Sequence, residues 1–192
     1  MEDLSFIQPP SGLARILEQT AAAGFAMASE ARTGALLRTL AASKRGGRCL
    51  ELGTGTGVAT CWLLDGMDGT SELISVDVDG EVQAIARSEL SGDPRLRLIA
   101  QDAITFLRSQ ESRSFDLIFA DALRGKYEDL DEALRVMKPG GFYVIDDMLP
   151  QPNWPAGHAA KVPVLLADLA ARPDFRITPM AWASGIVLAV RS

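Results

Sequence analysis

The feature that most constrains this fold is an alternation. Short runs rich in Val, Ile and Leu recur along the chain, at residues 48–52, 72–77, 96–100, 115–120 and 141–146. Between them lie stretches 58–64, 80–90, 103–109 and 127–137, which read as helices by composition and spacing. In the last of these, Tyr127, Leu130, Leu134 and Met137 repeat at three or four residues, the period of a helix face. Strands that are apolar nearly throughout belong to a parallel sheet covered on both faces. The sequence therefore predicts a doubly wound α/β fold, Rossmann-like in plan.

The two ends of the chain differ from this pattern. After Asp147 comes Met-Leu-Pro-Gln-Pro-Asn-Trp-Pro-Ala-Gly-His, too rich in proline for a regular helix or a central strand. A helix is expected over 159–171, then strands over 175–180 and 185–190. The linker between those strands is too short for a helix, so they pair antiparallel. Ahead of the first strand, 11–20 and 30–43 read as helices, the second stopped by Gly46-Gly47. Residues 1–45 are expected as a helical cap over the ligand edge of the sheet, and 1–192 as a single domain.

Charge and composition exclude some functions. The formal net charge of -6 argues against generic nucleic-acid binding, because an acidic surface repels phosphate. No apolar run is long enough to cross a bilayer. The acidic start Met-Glu-Asp lacks the basic, then apolar, plan of a signal peptide. Cys49 and Cys61 read as buried free thiols, which suits a cytoplasmic location. With one histidine and no Cys-x-x-Cys, there is no zinc spacing.

The strongest motif is Glu51-Leu52-Gly53-Thr54-Gly55-Thr56-Gly57, directly after the first strand. Its glycines allow a sharp turn and a close approach of backbone to ligand, and the helix that follows offers free N–H groups. In such sheets ligands bind outside the carboxyl ends of the strands. The pattern is GxGxG, not the dinucleotide GxGxxG, and Val58 stands where the last glycine would be needed. Glu51, expected at the mouth of the loop, suits a cationic ligand group such as an ammonium and opposes a pyrophosphate. Asp77, followed by Val78, ends the second strand where an acid grips a ribose hydroxyl pair, while Asp79 is better placed to cap the next helix. For Asp102-Ala103 two readings stay open: a contact to an adenine amino group, or an N-cap.

Together these elements resemble the class I S-adenosylmethionine (SAM)-dependent methyltransferases. More narrowly, they look like the small O-methyltransferases that include the catechol and caffeoyl-CoA enzymes and many bacterial relatives. The stretches Leu-Glu-Leu-Gly-Thr-Gly-Thr-Gly, Ile-Ser-Val-Asp-Val-Asp, Phe-Asp-Leu-Ile-Phe-Ala-Asp-Ala-Leu-Arg-Gly-Lys-Tyr and Met-Lys-Pro-Gly-Gly-Phe-Tyr-Val-Ile-Asp-Asp carry the resemblance, from about Met27 onward. It implies a seven-stranded sheet of order 3-2-1-4-5-7-6 with strand seven antiparallel. It implies a homodimer, SAM as cofactor, and methyl transfer to the hydroxyl of a small acceptor, catechol-like or phenolic. Met27, seven residues before Gly34, matches a family methionine near the methyl donor. The implied cofactor contacts are Met27, Glu51, Gly53, Thr54, Gly55, Gly57, Asp77, Val78, Asp102, Ala103 and Asp121.

Asp121 ends the fourth strand, and Asp146 and Asp147 end the fifth; in the implied order these ends converge. Three acids in one cleft repel one another, and a divalent cation relieves the conflict. Hard oxygen donors favour Mg²⁺, Mn²⁺ or Ca²⁺. The resemblance also implies such a metal, on two aspartates and an asparagine; here Asp147 stands in place of the asparagine. The other reading has Asp121 lining the cofactor pocket and Asp146 or Asp147 capping a turn. In the catechol enzymes a lysine three residues after the first metal aspartate is the base. That position is Arg124, which stays protonated and is expected to stabilise an oxyanion or steer an acidic acceptor. Lys126 reads as a substitute base or a solvated surface lysine, and His158 as a base or a helix cap. Trp154 and Trp182 read as acceptor walls or packing.

Three rivals bear on function. An NAD oxidoreductase is disfavoured by the loop pattern and by the lack of a Tyr-x-x-x-Lys pair. A tRNA-modifying relative fits the fold but not the charge. A SAM-binding protein without catalysis fits the missing base.

Overall fold

Seven strands form one sheet in the order β3-β2-β1-β4-β5-β7-β6. They are β1 (Arg48–Leu52), β2 (Glu72–Asp77), β3 (Leu96–Ala100), β4 (Phe115–Ala120), β5 (Met137–Ile145), β6 (Phe175–Met180) and β7 (Ile186–Arg191). The first five run parallel, and β7 lies antiparallel between β5 and β6. Among the described residues seven helices accompany them: α1 (Leu13–Ala22), α2 (Ala31–Ala42), α3 (Val58–Gly66), α4 (Gly80–Leu90), α5 (Ala103–Ser109), α6 (Leu130–Arg135) and α7 (His158–Ala171). This computed structural model describes residues 6–192, so the first five residues of the expected N-terminal arm lie outside the described ones.

Both faces of the central strands β1, β2 and β4 are buried, which is why these strands are apolar nearly throughout. In β1, Leu50 and Leu52 face a layer built from Phe106 and Leu107 of α5, Leu134 of α6 and Leu165 and Leu169 of α7. Cys49 faces the opposite layer, with Leu37 and Ala41 of α2 and Leu63 of α3. Leu13 and Ile16 of α1 extend that layer against Val58, Cys61 and Trp62. Each large apolar side chain buried in this way stabilises the fold by roughly 1.5–3 kcal/mol. Among the described residues no helix is long and apolar enough to cross a membrane.

Within the N-terminal cap, α2 lies tight on α3. A Cβ at Gly34 would come 2.3 Å from Cδ1 of Trp62, and one at Gly66 would come 2.1 Å from the Arg38 carbonyl oxygen. The part of the cap that overhangs the ligand edge is the connection 23–30 between α1 and α2.

One expected helix is much shorter than its spacing suggests. Residues 127–137 form a helix only over Leu130–Arg135. Asp129, just before it, is left-handed at φ 56°, and Met137 already belongs to β5. The period of Tyr127 misleads because its ring packs edge-on against His158, 5.0 Å between centroids, and not along a helix. β5 in turn starts earlier than its apolar run, and its ladder with β4 shifts register between Phe115 and Leu117.

Candidate active site

The carboxyl ends of β1, β2, β4 and β5 open onto a cavity of about 670 Å³, a size typical of small-molecule sites. At its near end lies the glycine loop. Gly53 has φ 99°, and a Cβ there would sit 2.7 Å from the Asp121 carbonyl oxygen, so only glycine lets the loop pass β4. Asp77 clamps the loop: its Oδ2 accepts the Gly55 N–H at 2.7 Å, and its Oδ1 accepts the Asp79 N–H at 2.9 Å. Asp79 caps α4 by accepting the N–H groups of Glu81 and Val82, both at 3.0 Å, as expected. Met27 and Val78 line the same cavity with 68% and 78% of their surface bare, which is apolar area a bound nucleoside would cover.

A second cavity of about 440 Å³ adjoins the first and shares Gly53, Asp77, Val78, Ala122 and Leu123 with it. Asp102 and Ala103 belong here. The Asp102 side chain caps α5, accepting the Thr105 N–H at 3.1 Å, and it borders this cavity.

Three residues singled out in the sequence, two as cofactor contacts and one as a catalytic group, stand elsewhere than expected. Glu51 is not at the mouth of the loop. It is fully buried on the α3 side of the sheet and borders neither cavity. One carboxyl oxygen accepts from the hydroxyls of Thr60 and Ser75, the other has no partner, and burial pushes its pKa up to about 8. Burial thus favours the protonated form of Glu51, and its carboxyl faces neither cavity. The alternation of Leu50 and Leu52 was the available signal: in a sheet covered on both faces, the residue between them is buried too. Gly57 lines neither cavity either. At φ 93° it starts α3, and a Cβ there would lie 2.7 Å from the Ala86 Cβ, so it serves the packing of α3 on α4. Thr54 reaches the cavity, but its hydroxyl is tied to Ser75 and Gln83 beneath.

Arg124 is the third correction. It does not share the main cavity with Asp121 but borders the second one, held by Asp129 at 2.6 Å, Asp102 at 3.5 Å and Glu128 at 3.6 Å. The bend at Gly125, φ 82°, turns Arg124 outward and Lys126 inward. Lys126 is not a solvated surface lysine: it is 3% exposed, lines the main cavity, and its Nζ donates to the Asp146 carbonyl at 2.6 Å.

Around Lys126 stand the three aspartates predicted from the strand ends, and all three border the main cavity. Asp146 is 2% exposed; one of its carboxyl oxygens accepts from the Ser184 hydroxyl and from the Asp147 N–H. Asp147 is left-handed at φ 59°, a conformation Asn and Asp tolerate best, and its Oδ2 accepts the Trp154 indole N–H at 2.6 Å. The Asp121 Oδ2 accepts from the Ser29 hydroxyl at 3.2 Å. Burial and the neighbouring Asp146 hold Asp121 well above the usual carboxylate range, and burial raises Asp146 as well. These residues do not fit a divalent ion. A carboxylate oxygen of each aspartate is already committed to a protein donor, an ammonium stands among them, and among the described residues no three His, Cys, Asp or Glu side chains gather as metal donors.

The far wall is aromatic. Trp154 lines the cavity and stacks on His158, 4.4 Å between centroids. His158 is 7% exposed and its Nε2 is unpartnered; burial, then Lys126, push its pKa down. Trp182 is packing: its indole N–H donates to the Arg32 carbonyl at 3.0 Å, away from the cavity.

The family described as a methyltransferase domain matches residues 50–148. A curated protein of Mycobacterium avium (strain 104), provisionally named an O-methyltransferase, is 34% identical over 82% of this chain and 76% of its own length. One of Mycolicibacterium vanbaalenii, named likewise, is 38% identical over 58% of this chain. The matched part spans about half the length of that relative, 52%. The solved O-methyltransferase TomG of Streptomyces achromogenes, in complex with SAM and involved in tomaymycin synthesis, has the same fold at 22% identity. Its TM-score is 0.82 over 97% of this chain and 92% of that one. The sheet order, the clamped glycine loop and these matches agree: the chain belongs to the methyltransferase-domain family, in its class I, O-methyltransferase group.

Proposed function

We propose that this protein binds SAM along the shared edge of the two cavities and transfers its methyl group to a hydroxyl of a small acceptor. The observation that carries the proposal is the glycine loop clamped by Asp77 beside the bare side chains of Val78 and Met27. Each Asp77 oxygen accepts one backbone N–H and keeps a lone pair for a ribose hydroxyl. The second cavity, with Asp102 and Ala103, suits the adenine; Gly53, Gly55 and the main-chain N–H groups at the start of α3 suit the polar amino-acid end.

When bound, SAM would supply an electrophilic methyl on a sulfonium; the acceptor oxygen, its proton released to water, would take that methyl as the S–C bond breaks and S-adenosylhomocysteine is left. The protein's part is to hold that oxygen, exclude water and balance charge. Opposite charges vanish in the transfer, so a water-poor site with fixed dipoles favours it. Asp121 stands between the loop and the acceptor end, and Lys126 lies deep in the same cavity. The Trp154 and His158 rings give the acceptor a flat wall, which supports an aromatic hydroxyl such as a catechol or phenol. A reducing cytoplasm suits the two buried free thiols.

The test is calorimetric titration with S-adenosylhomocysteine, with NADH as control. Micromolar binding of the first and none of the second is expected. Asp77→Ala should weaken binding by about 10- to 100-fold, the worth of one or two charged hydrogen bonds. A folded protein that gives no heat with S-adenosylhomocysteine would overturn the proposal.

A further inference from the structure

Resting on the methyltransferase reading and deepening it, we propose that Lys126 takes the electrostatic place of a divalent cation in this site, so that the three aspartates need no metal. Four observations converge on this. Lys126 is only 3% exposed; burial pulls its pKa down, and the charges of Asp121, Asp147 and Asp146 act against that loss to hold the ammonium. Its ammonium is fixed from the segment that carries two of those acids, by the Asp146 carbonyl at 2.6 Å and the Asp147 carbonyl at 3.5 Å.

One oxygen of each carboxylate, in turn, is held by a neutral donor. Ser29, Ser184 and the Trp154 indole each give a proton to a different aspartate. One oxygen of each acid is thus held by a hydroxyl or indole proton, and a divalent ion drawn to the remaining oxygens would meet the Lys126 ammonium at the same edge of the cavity.

The backbone is also built to deliver this lysine. A Cβ at Gly125 would lie 2.5 Å from Cδ1 of Leu52, and the Gly125 carbonyl accepts the Tyr143 hydroxyl. The turn is thus pressed against the sheet, and the next side chain enters the cavity. An ammonium has three N–H donors, and at most two go to the carbonyls. One remains for a ligand oxygen in the cavity that Lys126 lines, the position from which a metal would hold an acceptor hydroxyl.

The experiment titrates Mn²⁺ alone into the full chain, free and loaded with S-adenosylhomocysteine, for the wild type, Lys126→Met and Lys126→Gln. Binding is read by electron paramagnetic resonance of the free ion, and folding by thermal melting. The wild type is expected to show no Mn²⁺ binding below millimolar concentration. The two variants, with the ammonium removed and the carboxylates left, are expected to bind Mn²⁺ at least tenfold more tightly. Micromolar Mn²⁺ binding by the wild type would overturn the proposal. So would a folded variant whose Mn²⁺ affinity is no higher than wild type. If both variants unfold, the wild-type titration alone decides. Failure of S-adenosylhomocysteine to bind would sink the methyltransferase reading instead, and the Mn²⁺ result on the free protein would still report on the lysine.

Discussion

Replacing Glu51 by Gln is expected to alter the pH dependence of stability far more than stability in acid. In the folded chain burial raises this carboxyl from its ordinary 4.5 to about 8. The folded state therefore holds a proton that the unfolded state releases above pH 4.5. The sign follows: Glu51 contributes fully below 4.5, and stability falls as pH rises toward 8, because only the unfolded state gains by ionising. The displacement from 4.5 to about 8 corresponds to a loss on the order of 5 kcal/mol across that window, a large part of a typical folding free energy. Gln keeps the shape and the two hydroxyl donors, Thr60 and Ser75, but has no proton to lose. Urea unfolding of both proteins at intervals from about pH 5 to 8.5 isolates the effect, since other titrating groups cancel in the difference. The variant should gain on the wild type steadily as pH rises, by several kcal/mol in all. A difference that stays flat across the range would show that Glu51 is ionised or solvated in the fold, and the reasoning would fail.

Three further outcomes are expected. Gly57→Ala meets both a left-handed backbone, φ 93°, and the Ala86 Cβ at 2.7 Å, and should cost about 2–5 kcal/mol in urea unfolding. Gly12→Ala, at φ 90° with nothing within 4 Å, should cost only about 1–2 kcal/mol, and equal losses would mean that overlap at α3–α4 contributes nothing. Arg124→Ala should leave kcat/KM for a methyl acceptor within about tenfold of wild type, because its guanidinium is engaged with Asp102, Glu128 and Asp129; a hundredfold loss would return it to the chemistry.

Most of the fold was legible because it rests on local regularities. Strands β1 to β4 and β6, and helices α4 and α5, run over the residues that their apolar runs and spacing indicate. The errors have physical causes. The Tyr127 period failed where a bend at Gly125 and a left-handed Asp129 broke the helix that spacing alone suggested. The site was legible as a set of positions: Met27, the glycine loop, Asp77, Val78 and the three aspartates do meet at one edge. What was illegible was direction. Arg124 and Lys126 are two residues apart in a loop, and no periodicity says which of them points inward. Their placement depends on the approach of Gly125 to Leu52, a contact across 73 positions of chain. The sequence offered Lys126 as a substitute base or a surface lysine but gave no sign of its burial, since buried lysines are rare and its neighbours give no apolar pattern.

The hydrogen bond from Trp154 to Asp147 gives the molecule an optical probe of its own. Of the three tryptophans, Trp62 is sealed beneath Gly34 and Trp182 is fixed to the Arg32 carbonyl, so both emit from surroundings a ligand does not touch. Trp154 alone faces the cavity, with its indole N–H on a carboxylate and its ring on a histidine. Emission that shifts when a small molecule is added therefore originates at the acceptor wall, and candidate acceptors can be screened by intrinsic fluorescence without any label.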